Sequence, residues 1–233
     1  MSEVSSKKSQ TSDSSVRIDP AIDPLLLWTA LSQSPGIGVS ITDVNGRLLF
    51  VNDTTMVLFS DQANVDYSGK SIADFHPPEF VAERLAMIRK VVEESKTVRV
   101  RHIYHGRRIE STIWPVRDKR PPFDRVIVVS HQSTSDLNLP INAEAIETVG
   151  TNYIDLGALN VLTRRELEVL ILLGQGLSVP RTAAVLYRSP KTIQRHKAAI
   201  SEKLGLHGQA ELVQIVTELG LDLSDSKLKR FKA

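Results

Sequence analysis

The sequence predicts two domains of different class, an α+β domain built on one antiparallel sheet followed by an all-α domain. Three observations predict it. Between residues 24 and 135, strand-like alternation brackets a stretch whose apolar residues recur at helical spacing. From Leu162 onward the pattern is helical throughout. Charge divides at the same place: residues 161–233 hold 12 Lys and Arg against 7 Asp and Glu, the remainder 17 against 20. A basic C-terminal third points to an anionic partner, although a solvated basic surface fits the charge alone equally well.

Residues 1–23 form a Ser-rich segment, with seven serines in the first 20 residues and almost no large apolar side chain, so a disordered tail is expected. "PLLLWTALSQSPG" reads as a short amphipathic helix that stops before Pro35-Gly36. In "GIGVSITDVNGRLLFVND", alternating Val39 and Ile41, a turn at Asp43-Val44-Asn45-Gly46 and the run "RLLFV" describe a β-hairpin. Asn-Gly tolerates the positive φ such a turn requires. "PPEFVAERLAMIRKVVEESK" has apolar residues at 80, 81, 85, 88, 91 and 92 and is the longest helix of this half. "TVRVRHIYHGRRIESTIWPVRD" returns to alternation with a turn near His105-Gly106, and "DRVIVVSHQ" is a final strand. Residues 24–135 thus read as two strands, short helices and three strands. Polar residues 136–158 read as a linker.

In "LTRRELEVLILLGQG", Thr163 and Glu166 form a capping box, Leu162 and Leu167 a hydrophobic staple, and Gly174 or Gly176 ends the helix. Ser178 caps "VPRTAAVLY", and a turn at Tyr187-Arg188 leads to Ser189-Pro190, which opens the third helix. There Ile193, Ile200 and Leu204 make a core stripe, while Lys191, Gln194, Arg195, Ala198 and Glu202 share the opposite face. Such a face suits a major groove: Arg bonds guanine bidentately, Gln bonds adenine, and Ala touches a thymine methyl. A solvated amphipathic face is the competing reading. The fourth helix, near Gly208–Leu219, carries Leu212, Val213, Ile215, Val216 and Leu219, which suit either a dimer contact or the cap of a small core. The basic end, residues 223–233, reads as a flexible tail.

The stretch from Leu162 to Leu206 resembles the LuxR-type helix-turn-helix family. The likeness rests on Leu162-Thr163, Arg165-Glu166, Val169-Leu170, Gly176-Leu177-Ser178, Ala183, Leu186, Ser189, Thr192, His196, Ile200 and Lys203-Leu204-Gly205. It implies an all-α four-helix DNA-binding domain over residues 159–222, its third helix in the major groove of double-stranded DNA, acting as a homodimer. Carried over by position, Lys191, Thr192, Lys197 and Lys203 would lie near phosphates. Gln194, Arg195 and Ala198 would face base edges. His196 occupies a position near the backbone in the family, with a packed histidine as the alternative. Pro180, Arg181, Thr182, Arg188 and Gln194 depart from the family pattern and leave the bound sequence open.

Residues 24–135 resemble a PAS sensor domain through "GIGVSITDVNGRLLFVND", "GKSIADFHPPEF" and the closing strands ending "RVIVVS". This implies a five-stranded antiparallel sheet with short helices closing a central pocket that holds a small ligand or none. His76 as a haem ligand is not favoured. His102 and His105 flank a strand turn without nearby carboxylate partners on both sides and read as a solvated hairpin in preference to a metal site. Phe50, Phe59, Phe75 and Phe80 read as core in preference to a ligand cage. The absence of cysteine excludes disulfides, thiolate metal sites and a cysteinyl-flavin adduct.

No Ser/His/Asp set, phosphate loop or metal-ligand spacing suggests an enzyme, and no apolar run of about 18 residues suggests a membrane span. The alternation also differs from the parallel βα repeat of a receiver domain. The expectation is a cytoplasmic, sequence-specific transcription regulator whose PAS domain senses a small-molecule or protein signal, or pairs subunits. RNA polymerase or an upstream signalling protein are further partners in that scheme. The alternative is a PAS-mediated interaction scaffold with secondary DNA binding.

Overall fold

The computed structural model describes residues 19, 21–60, 64–117, 121–133 and 146–231. The Ser-rich tail, apart from Asp19 and residues 21–23, lies outside them, as does the first part of the expected linker. The first domain opens with helix α1 (Pro24–Ser32), capped by Asp23, and runs into β1 (Ile37–Asp43) and β2 (Leu48–Val51). The turn between these strands is set by Asp43, whose carboxylate accepts the Asn45 and Arg47 N–H groups at 2.9 Å each. Gly46 is required there, because its φ is +87° and a Cβ would come within 3.0 Å of Ile72 and Leu85.

Helix α2 (Asp53–Ser60), a 3₁₀ turn at Ile72–Asp74 and helix α3 (Pro78–Glu94) follow. Strands β3 (Val98–Tyr104), β4 (Arg107–Pro115) and β5 (Arg125–Gln132) complete an antiparallel arrangement in the order β2-β1-β5-β4-β3. Helix α3 lies on the sheet, where Met87, Ile88 and Val91 pack with Val98, Val100, Ile113 and Val126.

The expected five strands are present, and a sixth joins them. Residues expected to be linker form β6 (Glu147–Val149), which pairs in parallel with β3. The β3 edge offered unpaired backbone groups, and a short polar segment satisfies them without needing an apolar pattern of its own.

The second domain is built from β7 (Tyr153–Ile154), a 3₁₀ turn at Gly157–Val161, then α4 (Arg164–Gly174), α5 (Val179–Val185), α6 (Pro190–Leu204) and α7 (Gln209–Leu219). The capping box forms as read: Thr163 Oγ1 accepts the Glu166 N–H at 3.2 Å and Glu166 accepts the Thr163 N–H at 2.7 Å. Leu167, Leu170, Leu173, Ile193, Ile200 and Leu212 make the core.

The C-terminal end is not a flexible tail through residue 231. A 3₁₀ turn at Leu223–Lys227 and strand β8 (Lys229–Arg230), parallel to β7, carry the chain back across the molecule. The basic residues conceal a second pattern: Leu221 and Leu228 join the core, and Phe231 packs on Phe80 and Tyr104 of the first domain. The two domains therefore share packing. Ile103 of β3 belongs to the C-terminal core, the Gly106 N–H donates to the Asp155 carbonyl, and Arg101 donates to the Gly220 carbonyl.

Candidate nucleic-acid interface and sensor cavity

Helix α6 starts where its sequence dictates. The Ser189 hydroxyl accepts the Thr192 N–H at 3.1 Å, and Pro190 occupies the first turn, where its missing N–H costs nothing. Ile193 and Ile200 are fully buried, which fixes the helix's rotation. Lys191, Gln194, Arg195 and Ala198 consequently face solvent. Among the described residues, the side chains of Lys191, Gln194 and Arg195 make no hydrogen bond or ion pair within the chain.

The other expected contact residues are placed differently. Thr192 shares a hydroxyl–hydroxyl bond of 2.9 Å with Ser189, and His196 is half-buried. Lys197 donates to Gln209 at 2.9 Å, and Gln209 in turn donates to the Leu173 carbonyl, which ties α6 to α7 and α4. Lys203 is bound to both oxygens of Glu166 at 2.7 and 2.8 Å. Burial opposes ionisation of Glu166, but the Lys203 ammonium and the Thr163 donors outweigh it and hold the carboxyl below its ordinary value. Arg164 and Arg165 are likewise matched by Glu168. Arg188, Lys191 and Arg195, exposed and without a carboxylate among the described residues, lie together toward the start of α6, where Tyr187 and Arg188 precede the Ser189 cap. Sequence reading treated Arg181 and Arg188 only as departures from a pattern. Both are exposed.

The first domain encloses a cavity of about 100 Å³ between the sheet face and helices α2 and α3. Phe59, Phe75 and Phe80 line it, so three of the four phenylalanines expected to be core also form its wall. Phe50 lies elsewhere, edge-on to Trp28 at 5.0 Å. His102 is 4% exposed, contrary to a solvated hairpin. It sits on the inward face of β3, accepts from Arg84 at 2.9 Å and lies 3.2 Å from the Ser111 hydroxyl. His105 is part-buried beside Asp155, which accepts its backbone N–H at 3.2 Å. His76 Nδ1 and the Tyr104 hydroxyl are 2.7 Å apart. Burial, with repulsion from Arg84 and His105, pulls His76 down to about 4, so the ring is neutral and accepts the Tyr104 proton.

Arg84 was missed by sequence reading. It is buried on the cavity wall with its guanidinium 4.7 Å from the Phe80 ring centre. A signal existed: it occupies the apolar stripe of α3, one turn after Phe80 and one turn before Ile88.

A walled cavity in one domain and an unpaired polar helix face in the other define a sensor-type module joined to a helix-turn-helix module. Comparison with known proteins resolves both. Residues 27–119 match the PAS fold, and residues 160–216 match the bacterial regulatory proteins of the luxR family. The chain therefore joins a segment that matches the PAS fold to one that matches the luxR family model. It is 43% identical over 58 residues to the transcriptional regulatory protein UhpA of Escherichia coli, covering 25% of this chain and 30% of that one. It is also 43% identical over 54 residues to the oxygen regulatory protein NreC of Staphylococcus aureus, covering 23% and 25%. The chain thus spans less than a third of the length of these relatives. Among solved structures, VqmA of Vibrio cholerae in complex with ligand and DNA is 24% identical over 85% of this chain and 88% of that one, with a TM-score of 0.47.

Proposed function

We propose that the chain is a transcription regulator that reads double-stranded DNA through α6 and adjusts that binding to the state of its PAS domain. The observation that carries this is the α6 face: Gln194, Arg195 and Ala198 are presented together to solvent, and the two polar side chains have no partner among the described residues. Gln and Arg are the side chains that discriminate adenine and guanine in a major groove, and Lys191 lies one turn away to meet a phosphate. The family assignment of residues 160–216 supports the same reading.

Action as a homodimer, in the cytoplasm, with RNA polymerase or an upstream signalling protein as further partner, belongs to this proposal. In α7, Leu212 and Val216 are buried and Ile215 and Leu219 pack on the core, so Val213 alone of its five large apolar residues is exposed. On α1, by contrast, Leu25 and Leu26 are 66% and 64% exposed, which supports pairing through the PAS domain.

We read the cavity as a binding site, not a catalytic one. His102 and Ser111 are adjacent, but the Arg84 N–H occupies His102 Nδ1, which puts the ring proton on Nε2. That nitrogen then donates to Ser111, and a serine nucleophile needs the opposite.

Selection of bound duplexes from a random pool by the full chain, followed by anisotropy titration, tests the regulator reading. A recovered consensus that outcompetes random duplex at physiological salt is expected. Equal binding to all duplexes would sink it.

A further inference from the structure

The cavity of the PAS domain holds a cation that no carboxylate of the described residues meets in a hydrogen bond or ion pair, although Glu83 lies near enough to act on it through its charge. Arg84 is 9% exposed. Of the five N–H groups of a guanidinium, the described residues engage two: Nη2 donates to His102 at 2.9 Å and Nη1 approaches the Met87 sulfur at 3.8 Å. Nε is buried without a partner. The nearest carboxylate in sequence, Glu83, is spent elsewhere, accepting from the Thr151 hydroxyl and from the backbone and side chain of Asn152. A buried charge satisfied only by neutral acceptors is costly, and packing on Phe80 offsets part of that cost at most.

The polar groups beside it form a series. Arg84 donates to His102 and His102 to Ser111, whose hydroxyl shares one hydrogen bond of 2.8 Å with that of Ser130. One of the two serine protons is used in that bond and the other is left for the cavity that both residues line. The site therefore presents donors. The remaining wall is largely apolar, including Met56, Phe59 and Phe75. Burial keeps both His76 and His102 neutral, so among the described residues Arg84 is the one positive charge on the wall.

We propose that this cavity is the receptor for a small monocarboxylic acid, its carboxylate held by the Arg84 N–H groups that the described residues leave unpaired, with the Ser111–Ser130 hydroxyl pair as a further donor, and its hydrocarbon or aromatic body against the phenylalanines. The planar guanidinium edge matches a carboxylate, and one charge balances a monoanion where phosphate would bring two. The proposal rests on the sensor reading of the domain and deepens it by naming the class of signal.

The test uses the full chain and two matched pairs of probes, benzoate with benzamide and hexanoate with hexanamide, plus inorganic phosphate, read by thermal shift and calorimetry. At least one acid is expected to bind about tenfold or more tightly than its own amide, the scale of a charge-assisted hydrogen bond, and phosphate is expected to give no shift. R84Q abolishes the preference for the acid, and S130A weakens it; because S130A also removes the buried partner of Ser111, its acid and amide affinities are compared by calorimetry well below its own melting temperature. Without ligand, R84Q melts at or above the wild-type temperature, because a cation kept for a ligand destabilises the empty protein; a purely structural arginine gives the reverse. Amides binding as tightly as acids, phosphate binding as tightly as either, or an acid preference that survives R84Q would each overturn the proposal. Equal binding of acid and amide would leave the sensor reading standing. A protein that takes up none of the four organic probes would likewise overturn the proposal and leave the sensor reading standing.

Discussion

Arg195 and Lys191 stand one turn apart on the same exposed face, yet loss of each is expected to register differently. Arg195→Ala should cost about 1–3 kcal/mol on the preferred duplex and flatten discrimination at one base pair. Lys191→Ala should weaken all duplexes alike and reduce the salt slope by about one. Anisotropy titrations over a salt series separate the two, and identical losses on random DNA would contradict the assigned roles. Lys203 matches a family position near phosphate, but its ammonium is occupied by Glu166. Its loss is therefore expected to appear as stability, about 1–2 kcal/mol for a charge-assisted pair whose lysine is over a third exposed. Since the folded Glu166 carboxyl lies below its unfolded value, the pair's contribution is complete above the ordinary glutamate range and is lost as pH falls through the depressed value. Wild type and Lys203→Met should thus converge in melting temperature at low pH; a constant gap would refute the pairing. The α6 face was legible in sequence because an exposed stripe and a buried one alternate at helical period. The Lys203 partner was not, since it arrives from a helix 37 residues earlier.

At the scale of elements, the capping box and the contact between α4 and α7 are separable. Thr163→Ala removes one N-cap acceptor and should cost about 1 kcal/mol. Gly174→Ala is expected to cost more, about 1–3 kcal/mol, because an added Cβ would fall 2.4 Å from the Val216 side chain and force the two helices apart. Urea titration of both variants checks the order, and a neutral Gly174→Ala would mean that the helices slide freely. The elements legible in sequence were those with their own period and caps: the hairpin at Asn45-Gly46, α3, and all four C-terminal helices. Strands β6 and β8 were not, because each is three residues or fewer and is held by a neighbour's edge. Phe231 was hidden for a related reason: one aromatic among lysines has no periodicity, and its partners Phe80 and Tyr104 lie more than a hundred residues away.

At the scale of the molecule, the described residues show two contacts between the domains, one of which adjoins the cavity. The β3–β4 hairpin docks on the helical domain through Ile103, Asp155 and the Gly220 carbonyl. Phe231, carried by β8, rests on Phe80 at 6.0 Å, and Phe80 is also a wall of the cavity. A ligand that moves Phe80 must therefore displace or tighten the end of the DNA-binding domain. If subunits pair through α1, Leu25→Glu with Leu26→Glu should lower the mass measured by light scattering from dimer to monomer and cost affinity on a two-fold site. An unchanged mass would move the interface elsewhere. Linkage between sites is reciprocal, so a cavity ligand that alters operator affinity must see its own affinity altered by operator to the same factor. Phe231→Ala removes the aromatic contact while leaving Arg84, Ser130 and the α6 face in place. It is expected to bring that factor toward one, with ligand affinity measured without DNA and operator affinity measured without ligand both near wild type. Calorimetry of the ligand in the presence and absence of operator reads the factor directly. A factor unchanged by Phe231→Ala would assign the coupling to the β3–β4 hairpin, where Arg101→Ala makes the corresponding cut.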